Sequence, residues 1–218
     1  MFKYDKKLRD DYYSIKSKIS GPDRKTLPLI NKLGLKGKAL LDFGCGDGRY
    51  SKYFLDKGVS KIYGVDVSSA MISEAKKKLP DRRLKFLKIQ DGKLPLPDNF
   101  VDVVFANFVI HYVKDTKKNF KEIARVMRPG ASFVCIFNLF DVKNKKLQNK
   151  VIPIILNNSL NIDILIKTEQ GILSDLKKSG LKILKRVPVV NPVAKVHPLY
   201  KHKAGVKIKT ILWLVKKI

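Results

Sequence analysis

The chain has 218 residues, of which 44% are hydrophobic, so it can bury the core of one ordinary domain and is not disordered throughout. Lys and Arg number 46 against 19 Asp and Glu, and the formal net charge of +27 favours polyanionic partners such as RNA or an anionic membrane surface. No apolar run approaches the roughly 20 residues of a membrane span, the N-terminus is not a secretory signal, and two unpaired cysteines suit a cytoplasmic protein.

Short apolar strands alternate with helices through the first two thirds of the chain. Residues 1–35 are predicted to form an N-terminal helical arm, and residues 36–137 a core of five strands. The predicted strands of this core are Ala39–Phe43, Lys61–Val65, Leu84–Ile89, Val101–Ala106 and Ala131–Phe137. This alternation predicts an α/β fold, in which a parallel sheet is covered by helices on both faces.

The last third of the chain is less regular. Residues 138–167 are rich in Asn and Lys, then apolar, and we expect an inserted cap over the substrate or a helical segment there. Residues 168–218 are predicted to form a helix, Thr168–Ser179, and two final strands, Leu181–Val190 and Val206–Lys216. From Leu176 onward the chain has twelve basic residues and no acidic one. Residues 1–218 are predicted to form a single domain.

The first strand runs directly into a glycine-rich turn, Gly44–Gly48, which is followed by a helix. Glycines allow a ligand to approach the backbone closely, and the N–H groups at the start of a helix favour a carboxylate or phosphate. The spacing differs from the dinucleotide fingerprint, because Arg49 stands where that pattern needs glycine. Asp47 within the turn would also repel a pyrophosphate. The alternative is a tight turn without a ligand.

Carboxylates follow the next two strands. Asp66 ends the second strand, where it can accept hydrogen bonds from both hydroxyls of a ribose or can cap the next helix. Asp91 and Gly92 follow the third strand, where they can bind the edge of an adenine or form a simple turn. Three such loops line one crevice at the carboxyl edge of a parallel sheet.

Four blocks in this order resemble the class I S-adenosylmethionine (SAM)-dependent methyltransferases, in particular the methyltransferase-11 group that includes ubiquinone- and menaquinone-biosynthesis enzymes. The blocks are LLDFGCGDGRY, IYGVDVSSAMISEAKKK, IQDGKLPLPDNFVDVVFANFVIHYV and FKEIARVMRPGASFVCIF, and they cover Leu40 to Phe137. The resemblance implies a Rossmann-like domain with a seven-stranded, mostly parallel sheet in the order 3-2-1-4-5-7-6, of which strand 7 is antiparallel.

The resemblance also implies SAM as the cofactor and assigns its contacts. The floor under the methionine part is assigned to Asp42, Gly44, Cys45 and Gly46; the ribose to Asp66 and Val67; the adenine to Asp91 and Gly92; the sulfonium to Asn107; and an aromatic cover to Tyr12.

Methyl transfer from a sulfonium is an in-line displacement that needs alignment and exclusion of water, and a base only if the acceptor loses a proton. His111 is the candidate base and Asn107 a second candidate catalytic residue; the alternative for His111 is a structural histidine that bonds a loop. No metal site is predicted, because His197 and His202 have no third ligand nearby.

Three functions remain open from the sequence. The first is methylation of a small or lipid-like molecule, which the apolar segment Val151–Leu156 favours. The second is methylation of RNA or tRNA, which the basic C-terminal region favours. The third is a non-catalytic SAM-binding module.

Overall fold

A computed structural model of the chain describes residues 26–142, 150–156, 160–189 and 206–218. The predicted cofactor contact Tyr12, most of the predicted N-terminal arm and the basic loop 191–205 lie outside the described residues. Seven strands form one sheet in the order β3-β2-β1-β4-β5-β9-β8, and two more form a separate hairpin, β6–β7. The strands are β1 Ala39–Phe43, β2 Lys61–Asp66, β3 Leu84–Lys88, β4 Val101–Asn107, β5 Met127–Val142, β6 Lys150–Leu156, β7 Leu160–Ile166, β8 Leu181–Val189 and β9 Val206–Lys217.

Five α-helices and one 3₁₀ turn connect these strands in the described part of the chain. They are α1 Thr26–Asn31, α2 Arg49–Asp56, α3 Ser69–Lys78, the 3₁₀ turn Ile110–Tyr112, α4 Thr116–Val126 and α5 Glu169–Lys177. Side chains cap three of the helices, as their sequences predict. Ser68 accepts a hydrogen bond from the N–H of Met71, and Asp115 accepts one from the N–H of Lys118. Thr168 caps α5 in the same way.

The sheet is buried on both faces. Leu41 of β1 belongs to a cluster on one face that includes Phe120 of α4 and Trp213 of β9. Leu40, the residue before it, belongs to a cluster on the opposite face of the sheet, together with Phe54 of α2. Because alternate residues of a strand point to opposite faces, a strand covered on both sides must be apolar throughout. Burial of each such side chain stabilises the fold by roughly 1.5–3 kcal/mol.

The predicted fold class and strand order are confirmed. Strands β1 to β5 pair in parallel, and β9 lies antiparallel between β5 and β8, which corresponds to the order 3-2-1-4-5-7-6. The predicted fifth strand, Ala131–Phe137, is too short. It runs from Met127 to Val142 because β9 pairs with it as far as Val142, whereas β4 pairs with it only as far as Ile136.

The expectation of a helical segment within 138–167 is wrong for the described residues. They form the end of β5 and the antiparallel hairpin β6–β7, whose register pairs Lys150 with Ile166 and Leu156 with Leu160. The segment is rich in Ile and Val, which favour strands over helices. Strand β7 contacts both β5 and the 3₁₀ turn after β4. Among the described residues, no helix is long and apolar enough to span a membrane.

Candidate functional site

The predicted cofactor residues come together at one edge of the sheet. Strands β3, β2, β1 and β4 are parallel neighbours, so their carboxyl ends lie side by side at the same edge. The loops that follow them carry Gly44, Asp66, Asp91 and Asn107. This is the edge at which open α/β sheets bind their ligands.

The glycine-rich turn after β1 is tied to the end of β2. The N–H groups of Gly44 and Cys45 both donate to the carbonyl of Val65, at 2.8 and 3.0 Å. Gly44 has a φ of 73°, and a Cβ atom added there would lie 2.6 Å from Cγ2 of Val109 in the loop after β4. At Gly46, with φ 54°, an added Cβ would meet nothing within 4 Å. The turn is therefore packed on its Gly44 side and open at Gly46.

Asp66 bridges two of these loops. Its Oδ2 accepts a hydrogen bond from the N–H of Gly46 at 3.0 Å, and its Oδ1 accepts one from the N–H of Ser68 at 2.9 Å. These bonds orient the carboxylate between the glycine-rich turn and the start of α3. The neighbouring Val67 is 47% exposed, which is unusual for an aliphatic side chain in this domain. The structure thus brings together the two residues assigned to the ribose.

Asp42, near the end of β1, is linked to the helix that follows the turn. It is 2% exposed, and its Oδ2 accepts a hydrogen bond from the hydroxyl of Ser51 at 2.7 Å. Because Ser51 lies in the first turn of α2, this bond ties the end of β1 to the start of that helix. No sequence signal singles out Ser51, since its role depends on a partner nine residues away.

Cys45 lies inside the turn but is buried. Burial, together with the negative charges of Asp42 and Asp66, raises the pKa of its thiol well above the usual value. A thiol of that kind stays protonated and is a poor nucleophile.

The charge within the turn is balanced by a lysine. Asp47 forms an ion pair with Lys78 of α3, with 3.2 Å between Oδ2 and Nζ, and the Asp47 side chain is only 11% exposed. Asp47 would therefore repel a pyrophosphate less than its position in the sequence suggests. The exclusion of a dinucleotide depends instead on the glycine spacing.

The loop after β3 begins with the tight turn Gln90–Lys93. Asp91 and Gly92 at its centre both have positive φ, 50° and 70°, as a type I′ turn requires. Asp91 is exposed, and its carbonyl accepts a hydrogen bond from Nζ of Lys118 at 3.0 Å. The backbone therefore forms an Asp-Gly turn, which agrees with either of the two predictions for this pair.

The loop after β4 contains a strained residue beside the turn. Phe108 has a φ of 54°, which is uncommon for a bulky residue, and its N–H donates to the carbonyl of Ile136 at 2.7 Å. Such strain is often found at functional sites. Asn107, the residue before it, is half-buried at the carboxyl end of β4.

His111 is buried in a polar group that extends across three elements. The imidazole is 5% exposed, and its Nδ1 faces the N–H of Asn138 in β5 at 3.5 Å. The side-chain oxygen of Asn138 accepts a hydrogen bond from the hydroxyl of Thr210 in β9 at 2.7 Å. Burial lowers the pKa of His111 to about 3, so the imidazole is neutral at physiological pH. Asn138 and Thr210 are absent from the residues predicted from the sequence, because nothing local marks them.

Tyr112, the next residue, is 40% exposed, and its ring lies 4.1 Å from the His111 ring between centroids. The 3₁₀ turn that holds both rings contacts β7 of the hairpin. An aromatic ring is therefore exposed at the same edge of the sheet as the cofactor loops.

Comparison with known proteins gives one family match. Residues 41–135 match the family model described as a methyltransferase domain. This range contains the glycine-rich turn, Asp66, Asp91, Asn107 and His111, and it ends within β5.

Two curated relatives match this region over more than half of the chain. A demethylmenaquinone methyltransferase from Bacillus licheniformis is 33% identical over 138 residues, which are 62% of this chain and 53% of that protein. A malonyl-[acyl-carrier protein] O-methyltransferase from Legionella pneumophila is 34% identical over 123 residues, 56% of this chain and 43% of that protein. The chain thus spans about half the length of the curated relatives it matches.

Solved structures share the fold over most of the chain. A geranyl diphosphate C-methyltransferase from Streptomyces coelicolor, crystallised with Mg²⁺, geranyl diphosphate and S-adenosyl-L-homocysteine, superposes with a TM-score of 0.68. The match covers 89% of this chain and 80% of that one at 16% identity, so it carries the fold alone.

Proposed function

Since residues 41–135 belong to the methyltransferase domain family, we propose that this chain transfers a methyl group from SAM to a small or lipid-like acceptor. The family and enzyme class predicted from the sequence are confirmed by that match, and the acceptor is our proposal. The observation that carries the proposal is the Asp66 carboxylate, held by the N–H of Gly46 at 3.0 Å beside the glycine-rich turn.

The residues of this edge fit SAM. An added Cβ at Gly46 would enter open space, so the backbone of the turn can be approached closely there. When bound, SAM supplies a methyl group on a positively charged sulfonium. In our proposal Asp66 accepts hydrogen bonds from the ribose hydroxyls, and exposed Val67 packs against the nucleoside. Asp91 and Gly92 bind the adenine edge, and Asn107 lies beside the sulfonium.

An apolar acceptor is supported by the hairpin β6–β7. Its register pairs Ile152 with Ile164 and Ile154 with Ile162, so isoleucines stand opposite one another in the two strands. Strand β7 contacts the 3₁₀ turn that carries His111 and Tyr112. We propose that the hairpin is the cap of the acceptor site. The name of one relative, a demethylmenaquinone methyltransferase, agrees with a lipid-like acceptor, whereas that of another refers to malonyl-[acyl-carrier protein].

Our proposal for His111 is a structural role. The imidazole is buried and neutral, and its Nδ1 faces the N–H of Asn138. A general base, in contrast, needs a pKa near the working pH. We expect His111→Ala to lower turnover less than tenfold and to lower thermal stability. A fall of about 10²–10⁴ in turnover at unchanged stability would instead make His111 the base.

The cofactor part of the proposal is tested by calorimetry. The wild type should bind SAM and S-adenosylhomocysteine but not NAD. Asp66→Ala should weaken binding by roughly 1.5–3 kcal/mol, because the ribose loses a charged acceptor. Asp56→Ala is the matched control, since Asp56 is an exposed acid paired with Lys52 on α2. Unchanged affinity in Asp66→Ala would mean that Asp66 acts only on the backbone of Gly46 and Ser68.

The acceptor class is tested by transfer of radiolabelled methyl from SAM to lipid, small-molecule and RNA fractions of a cell extract. Label in the lipid or small-molecule fraction agrees with the proposal. Label in RNA alone would contradict it. No label in any fraction, in a protein that binds SAM, would favour the non-catalytic module.

A polyanion partner is a second candidate, favoured by the edge of the sheet at β8. Lys182 and Lys185 are exposed on β8, Lys216 is exposed on the neighbouring β9, and Lys177 and Lys178 are exposed at the end of α5, which precedes β8. We propose salt-sensitive binding of RNA or anionic vesicles to this edge. Neutralising the four lysines from 177 to 185 should reduce the log–log salt slope by roughly 0.7–0.9 per lost phosphate contact, without altering SAM affinity. No binding at low salt would make the basicity purely compositional.

A further inference from the structure

The loop between β3 and β4 is ordered by more than its opening turn. The hydrogen bond that closes the turn Gln90–Lys93 is 2.9 Å long, and Asp91 and Gly92 lie at its tip. Further along, Leu94 and Leu96 are 3% and 7% exposed, so they anchor the loop in the core. The rest of the loop is held by two charged side chains of the helix α4.

Arg125 lies in the last turn of α4 and reaches three points of this loop. Its Nη2 donates to the carbonyl of Leu94 at 3.1 Å, and its Nη1 donates to the carbonyl of Leu96 at 2.9 Å. The same Nη1 lies 2.7 Å from Oδ1 of Asp98. A guanidinium can make several bonds in one plane, which a lysine ammonium cannot do.

Glu122, one turn earlier on α4, completes the arrangement. It accepts hydrogen bonds from Nε of Arg125 at 3.0 Å and from Nη2 at 2.9 Å. It also accepts one from the N–H of Leu94 at 3.0 Å, so it binds the loop directly. Bonding to Arg125 holds the pKa of Glu122 below its usual value, and the pair is charged at neutral pH. The side chains of Arg125 and Glu122 are 24% and 18% exposed.

We propose that the Arg125–Glu122 pair sets the affinity for the nucleoside part of SAM, by holding the loop that carries Asp91 and Gly92. The inference rests on the proposed function. Arg125 binds the carbonyls of Leu94 and Leu96, and Glu122 binds the N–H of Leu94, three to five residues after Asp91, so both are positioning residues. Without them the loop keeps its two buried leucines and the bonds from the N–H groups of Asn99 and Phe100 to the carbonyls of Arg125 and Val126. The stretch from Leu94 to Asp98 would lose its fixed path, and binding would then have to order it.

The chain contains a matched control. Arg128, which lies just after α4, also forms an ion pair with an acid. The distance from its Nη1 to Oδ1 of Asp102 is 2.6 Å. Asp102 in turn accepts a hydrogen bond from the N–H of Ala39 at 2.8 Å. Because Ala39 is the first residue of β1 and Asp102 the second of β4, this pair lies at the amino edge of the sheet, opposite the cofactor loops.

The experiment compares Arg125→Met, Arg125→Lys, Glu122→Gln and Arg128→Met by calorimetry with S-adenosylhomocysteine and with methylthioadenosine, which lacks the amino-acid part. We expect Kd to rise about tenfold in Arg125→Met and Glu122→Gln, equally for both ligands, less in Arg125→Lys, and less than twofold in Arg128→Met. Hydrogen exchange of residues 93–99 should be faster in Arg125→Met and Glu122→Gln, and unchanged in Arg128→Met.

The outcomes separate the two proposals. A wild type that binds neither ligand contradicts the proposed function, and the exchange measurement then decides the positioning role alone. Wild-type Kd in a folded Arg125→Met contradicts the positioning role and leaves the function standing. An equal loss of affinity in Arg128→Met would also contradict the positioning role, because the effect would then be a general destabilisation of the fold. If Arg125→Met does not fold, the isosteric Glu122→Gln gives the same answers.

Discussion

The carboxyl edge of the sheet has a proposed cofactor side, with Gly46 and Asp66, and a proposed acceptor side, with His111 and Asn138. The two sides are assembled from different ranges of sequence. On the cofactor side, Asp66 bonds to Gly46, which is 20 residues away, and only the turn, the helix α2 and the strand β2 separate them. On the acceptor side, His111 faces Asn138, 27 residues away, and Asn138 bonds to Thr210, 72 residues away. One half of the site is therefore built from consecutive β–α units, and the other half depends on long-range strand pairing.

The largest loss of stability is expected at Gly44, where the glycine-rich turn packs against the loop after β4. Gly44→Ala would drive a Cβ into Val109 and force a side chain into a left-handed backbone conformation. We expect a loss of about 3 kcal/mol or more in the free energy of unfolding, measured by urea denaturation, and loss of S-adenosylhomocysteine binding.

Gly46→Ala is the matched control for that prediction. Its backbone is also left-handed, but the new Cβ would meet nothing within 4 Å. We expect a loss of only about 1–2 kcal/mol in stability, together with clearly weaker cofactor binding. Equal destabilisation by the two substitutions would mean that the contact between the turn and the Val109 loop does not couple the halves.

The second prediction concerns the acceptor side and pH. The folded pKa of His111 is about 3, below the value of 6.5 for an unfolded histidine, so the unfolded state binds more protons between these values. Stability is therefore full above pH 6.5 and falls as the pH is lowered. Between pH 6.5 and 5 the wild type should lose about 1–2 kcal/mol more than His111→Gln.

Urea denaturation at several pH values measures this difference. The affinity for the cofactor should not change with pH in the same way, because burial, rather than a charge on the cofactor loops, lowers the pKa of His111. A wild type and a variant with the same pH dependence would mean that His111 is exposed in solution, and would restore it as a candidate base.

The smallest expected effect is at Thr210. Thr210→Val keeps the shape of the side chain and removes the donor to Asn138. We expect stability to fall by about 1 kcal/mol, with S-adenosylhomocysteine affinity unchanged, as measured by denaturation and calorimetry. If affinity fell as well, the bond between Thr210 and Asn138 would contribute to cofactor binding, which this prediction excludes.

The sequence predicted the glycine-rich turn and the acid at the end of β2 correctly, because the determinants of these two features are local. Three glycines after an apolar strand, and an acid at the end of the next strand, mark the turn and Asp66 without any knowledge of distant contacts. The strand order is also confirmed, although it came from the family resemblance rather than from periodicity. The cofactor roles assigned to Asp66, Asp91, Asn107, Tyr12 and the other predicted contacts all stay predictions.

The acceptor side was predicted less well for two physical reasons. An apolar run such as Val151–Leu156 has no periodicity that separates a strand from a buried helix, so the hairpin was not anticipated. The end of β5 was missed because its last residues, from Phe137 to Val142, pair in the described part of the sheet only with β9, a strand about 70 residues later. No local pattern carries that information.

The position of β9 also constrains how the chain can fold during synthesis. Strand β8 leaves the ribosome before β9, yet in the described part of the chain β8 pairs with β9 alone, and β9 lies between it and β5. The nascent domain can therefore complete its first five strands while the outer edge of β5 still lacks a neighbour. An unpaired strand edge of that length invites association with other chains. The interval between the emergence of β5 and of β9 is therefore the period in which this protein most needs a chaperone.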